Sequence, residues 1–88
     1  MDLNKDYVIF TYSIRSLTNT NKIRFFYALK GRNSIGILKE TSSIYLAKSV
    51  LLVPINSEKE IEDFFNLWRI PFKKIHVTLK DSKEVHNV

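Results

Sequence analysis

The sequence predicts an α+β fold, an antiparallel sheet of about five strands with one main helix, residues 57–70, packed on one face. Three observations lead there. The segment SEKEIEDFFNLWRI (57–70) carries a full set of helix signals. The segments YVIFTYSIR (7–15) and PFKKIHVTLK (71–80) alternate apolar and polar side chains with the two-residue period of a strand. Finally, 88 residues with a 44% apolar fraction suffice for one modest core but not for two. Residues 1–80 are therefore expected to form a single small domain. DSKEVHNV (81–88) has no pattern and is expected to fray as a C-terminal tail.

The first strand places Val8, Phe10, Tyr12 and Ile14 in one row. The loop SLTNTN then leads into NKIRFFYALKGR (21–32), which admits two readings. As a helix it would be capped by Thr20 or Asn21 and closed by Gly31. Lys22 and Arg24 would then crowd the positive end of the dipole of a helix only about nine residues long. As a strand it places Ile23, Phe25, Tyr27 and Leu29 in one apolar row and Lys22, Arg24, Phe26, Ala28, Lys30 and Arg32 in the other. Ile, Phe and Tyr favour strands, so the strand is the preferred reading, hairpin-linked to the first. RNS (32–34) turns the chain into a further strand, IGILKE (35–40), while TSSIYLAK (41–48) fits a strand, a loop or one helical turn. The helical reading of 21–32 gives instead a ferredoxin-like βαββαβ order.

SVLLVP (49–54) is a short, nearly continuous apolar run ending at Pro54, as expected of a central strand. In the main helix, Ser57 and Glu60 have the spacing of a capping box, and Glu58, Glu60, Glu62 and Asp63 sit near the positive end of the dipole. Ile61, Phe64, Phe65 and Trp68 form one buried stripe, and Pro71 ends the helix. The last strand has Ile75, Val77 and Leu79 on one face and Lys74, His76, Thr78 and Lys80 on the other. Both readings make a sandwich around Trp68, with eleven Phe, Tyr and Trp side chains supplying much of the burial.

No apolar run approaches the ~18 residues of a membrane span, and the acids before the first short apolar run make a poor signal peptide. The lack of cysteine fits a cytoplasmic protein. The formal net charge of +5 is unevenly spread. Residues 1–56 hold eight Lys and Arg against three acids, residues 57–71 two against four, and residues 72–88 four against two. A basic field with the acids gathered in one element favours anionic partners, nucleic acid first.

Enzyme signatures are missing. Two glycines allow no phosphate-binding loop, His76 and His86 have no ligand partners close in sequence, and the acids of 58–63 read as a helix first turn rather than a metal site. Neither catalytic residues, metal nor cofactor are expected. One resemblance bears on this. Under the helical reading, YVIFTYSI (7–14), NKIRFFYALKGR (21–32) and AKSVLLVP (47–54) resemble the small ferredoxin-like Cas2 proteins of CRISPR systems. These short motifs cover about half the chain. The family's first strand ends in Tyr-Asp-Ile with a metal-associated Asp. Here the residues are Tyr12, Ser13 and Ile14, so the resemblance implies at most a degenerate member without nuclease activity.

What remains is a basic row around an aromatic ring, Lys22, Arg24, Phe26, Lys30 and Arg32, joined by Lys74, His76 and Lys80 if the helix covers the opposite face. A sheet face of this kind grips single-stranded nucleic acid by phosphate pairing and base stacking. The expected function is a non-enzymatic binding module that associates with nucleic acid, single strands first, or with a nucleic-acid-processing complex. A protein–protein subunit acting through a sheet edge or an exposed aromatic is the alternative, and a homodimer is among the partners open to it.

Overall fold

The computed structural model describes residues 4–80. Strand β1 (Asn4–Tyr12) leads to helix α1 (Asn19–Lys30), a one-turn helix α2 (Ile37–Glu40), and strands β2 (Ile44–Ala47) and β3 (Val50–Pro54). A 3-10 turn (Ile55–Ser57), helix α3 (Glu58–Leu67) and strand β4 (Phe72–Lys80) complete the chain. The four strands form one antiparallel sheet in the order β2-β3-β1-β4. Setting α2 aside, this is the βαββαβ arrangement, with four strands in place of the expected five or so.

The strand expected over residues 22–32 is helix α1. Thr18, in extended conformation, accepts a hydrogen bond from the Asn21 amide through its hydroxyl (3.2 Å), and the Gly31 amide donates to the Tyr27 carbonyl (2.8 Å). The tertiary reason is the four-residue spacing of Phe25 and Leu29. Both are fully buried on one stripe, each worth roughly 1.5–3 kcal/mol of burial. The strand pairing would have buried Ile23 and Tyr27 as well; both are exposed.

The strand expected over 35–40 is replaced by α2 for a steric reason. Gly31 leaves α1 at φ 89°, where a side chain is strained, and the chain folds back so that Gly31 and Ile35 form an isolated bridge. Gly36 then lies against the end of α1, where a Cβ would overlap backbone atoms of Lys30 and Gly31. The chain enters α2 from this tight crossing.

The core lies between the helices and one sheet face. Val8, Phe10 and Tyr12 of β1 and Leu51 and Val53 of β3 face Phe25 and Leu29 of α1 and Ile61, Phe64 and Phe65 of α3. Phe65 stands at its centre, with ring centroids 5.7 Å from Phe10, 4.9 Å from Tyr12 and 5.3 Å from Phe72. Trp68 is only half-buried, edge-on to Phe25 at 5.6 Å, so the core is built around Phe65 rather than Trp68. The expected capping box is not made: Ser57 makes no cap bond and reaches the Thr41 carbonyl instead (3.5 Å). The C-terminus of α3 is well closed. The Ile70 amide donates to the Phe65 carbonyl (2.9 Å) and the Arg69 amide to that of Asn66 (3.1 Å), a Schellman motif with Arg69 at φ 56°.

Candidate nucleic-acid interface

The structure divides the expected basic row. On a helix with about 100° between residues, Arg24 lies roughly 160° around α1 from Lys22, while Phe26 and Lys30 follow Lys22 along one flank. Phe26 is half-buried, edge-on to Phe25 at 5.7 Å, with the Lys30 ammonium 5.4 Å from its ring. It is therefore no exposed stacking platform. The exposed aromatic of this helix is Tyr27, which the strand pattern places in the buried row. The Arg32 guanidinium, just beyond the helix end, lies 4.7 Å from the Tyr27 ring, and the Lys30 ammonium lies 4.4 Å from that of Tyr45 on β2.

The residues expected from the last strand point elsewhere. Lys74 and His76 lie on the helix side of the sheet, because they pair in register with Phe10 and Val8 and share their face. There they meet the acidic flank of α3. Lys74 Nζ donates to Glu58 Oε2 (2.6 Å) and to Glu62, and His76 Nε2 lies 2.8 Å from Glu58 Oε2. Hydrogen bonding to the Lys74 ammonium, with a smaller contribution from His76, holds the Glu58 carboxyl below its ordinary range, and Glu58 and Glu62 in turn raise Lys74. Lys80 pairs with Asn4 at the end of β4, but its side chain lies outside the described residues. Lys74 and His76 thus lie on the helix-covered face, engaged by α3, and form no open surface with the basic residues of α1. The cause is the edge position of β4: at the rim of the helix layer its polar row meets acids rather than apolar core.

The opposite, open sheet face is aliphatic at its centre and flanked at one end by Thr11 and the exposed Lys73. Ile44, Leu52, Ile9 and Ile75 stand in register across all four strands, with Ile44 51% and Ile75 61% exposed. Pro54, Tyr7 and Val77 form a second line. Base stacking on this face would rest on Tyr7 alone among its described strand residues.

Charge is segregated between the helices. From Tyr7 to Lys39 there is no acid, and six Lys and Arg occur, at Arg15, Lys22, Arg24, Lys30, Arg32 and Lys39. On α3, Glu58, Glu62 and Asp63 are taken up by Lys74 and Lys59, the latter 3.1 Å from Asp63. A shallow depression of about 320 Å³ between Thr11–Ser13 and Pro71–Lys73 gathers no acid. Among the described residues no group of three or more His, Asp or Glu is placed to hold a metal, and no helix is long and apolar enough to cross a membrane. Compared with protein-family models, curated proteins and solved structures, the chain matches none.

Proposed function

We propose that the protein is a small non-enzymatic binding module that takes an anionic partner, nucleic acid first, along the exposed surface of α1 and its exit. What supports the reading is the acid-free run from Tyr7 to Lys39 together with the exposed Tyr27, against which Arg32 stacks and which Arg24 and Lys30 flank three residues away on either side along α1. Guanidinium and ammonium groups neutralise phosphates, and a ring already stacked under an arginine offers a base a second surface. Pairing with phosphates conveys little sequence information, so binding is expected to be sequence-tolerant.

The test is a salt-titrated binding assay with single- and double-stranded DNA and RNA. Replacing Arg24 or Arg32 with Gln should lower the salt slope by about 0.7–0.9 for each phosphate no longer neutralised, whatever the base sequence. Tyr27→Ala should weaken single-strand binding by roughly 1–3 kcal/mol with little change in slope. Lys59→Gln, on α3, is the control and should leave binding unchanged. Failure of the wild type to bind any nucleic acid at low salt would overturn the proposal. A second reading, a protein-binding subunit, draws on Ile44 and Ile75, the exposed ends of the aliphatic line that runs through Leu52 and Ile9, since exposed apolar surface commonly marks interaction sites.

A further inference from the structure

We infer that β4 is a self-complementary edge, pairing antiparallel with β4 of a second copy about a two-fold axis at His76 to give a continuous eight-stranded sheet. The two edges of the sheet differ in kind. β2 is four residues long with a bulge between Tyr45 and Ala47, a form that resists strand addition. β4 is nine residues long, pairs with β1 at every position without a register break, and contains neither Pro nor Gly. Among the described residues no backbone hydrogen bond outside the sheet ladder reaches it. Lysines usually guard such an edge; here Lys74 is engaged by Glu58 and Glu62 of its own chain, while Lys73 stays exposed on the open face.

The sequence of β4 selects one register. Two copies related by a two-fold axis normal to the sheet keep the same faces, so residues directly opposite must belong to the same row. His76 is the midpoint of Phe72–Lys80, so an axis there pairs all nine residues. It sets Lys74 opposite Thr78, Lys73 opposite Leu79 and Ile75 opposite Val77 of the second copy. Both histidines on the axis already lie beside their own Glu58. An axis at Val77 pairs only seven residues and sets Lys74 opposite Lys80, and like charges directly opposite are unfavourable. An axis at Ile75 also pairs seven and sets Lys74 against His76. The His76 register alone combines full length with no lysine opposite a cation. It also places Ile75, 61% exposed in the single chain, beside Val77 of the second copy, so the two aliphatic faces run together.

The chain has no cysteine, so the register can be read by single-cysteine variants. Directly opposite residues have Cβ atoms about 4.5–5.5 Å apart, near disulfide range. The wild type should sediment at tens of micromolar as a dimer of the 10.4 kDa chain. On mild oxidation His76→Cys, at an exposed position, should become largely covalent dimer. Ile75→Cys and Val77→Cys should link when mixed and much less when oxidised alone. Ile44→Lys, at the far edge of the sheet, should leave the dimer intact. A monomer at 200 micromolar would overturn the proposal. So would a dimer in which only the Ile75 or Val77 variant links to itself, or one that Ile44→Lys dissociates, which would mark packing of the open faces.

Discussion

Tyr12 illustrates what a single buried atom does to this fold. Its hydroxyl is, among the described residues, the buried side-chain polar atom without a hydrogen-bond partner. Burial raises its pKa strongly, and Tyr45 nearby raises it further although it stands outside hydrogen-bond geometry. An unmet buried hydroxyl is unfavourable, so Tyr12→Phe should be neutral or stabilising by about 1 kcal/mol in urea unfolding at pH 8. The pH dependence has a definite sign. The folded state favours the neutral phenol, so its contribution is complete below the unfolded pKa near 10 and is lost as pH rises above it. Between about pH 10 and 12 the wild type should therefore lose stability more steeply than Tyr12→Phe, as urea midpoints across that range would show. Arg69 holds a left-handed conformation that closes α3 at the position where glycine is usual. Arg69→Gly should raise stability by up to about 1 kcal/mol, read from the same midpoint. A decrease above about 1 kcal/mol would mean that the Arg69 side chain contributes more than its backbone costs.

At the scale of elements, β1, α3 and β4 are legible in the sequence because each carries one dominant period, and β3 because it is a short apolar run closed by Pro54. Residues 21–32 carry two at once. Odd positions are apolar, as in a strand, yet Phe25 and Leu29 also suit a helical stripe, and the capping hydroxyl lies outside the segment at Thr18. The conflict is settled by which residues the core takes in, Phe25 and Leu29 but not Ile23 or Tyr27, and the next segment is set by a steric fact that no periodicity records, the crossing of Gly36 over the end of α1. Gly36→Ala should cost about 1–3 kcal/mol by overpacking, and hydrogen exchange should rise first at the α1–α2 junction. For β4 the alternation is legible but its facing is not. A row of Lys, His and Thr looks solvent-directed, and only its pairing with the acids of α3 reveals that it lies under a helix rim. The candidate interface shifts accordingly: Lys22, Arg24, Lys30 and Arg32 do belong to α1 and its exit, but Tyr27 replaces Phe26 as the exposed ring.

For the whole molecule, segregation of charge survives every change of reading, because it follows from the order of residues along the chain and not from their secondary structure. The basic, acid-free run of 7–39 and the acidic cluster of 58–63 remain, whichever element each segment adopts. A further consequence comes from the register Asn4↔Lys80, which lays the first and last strands side by side along nine pairs. Of the four strands, the central β1 comes first along the chain and its longer neighbour β4 comes last. Its pairing must close a loop of nearly the entire domain, and such non-local pairings slow folding. Joining residue 80 to residue 4 by a short turn and opening the chain at Lys48–Ser49 would convert that distant pairing into a hairpin. Stopped-flow refolding of this permutant should be several-fold faster than that of the natural order, with the same strands in the same places.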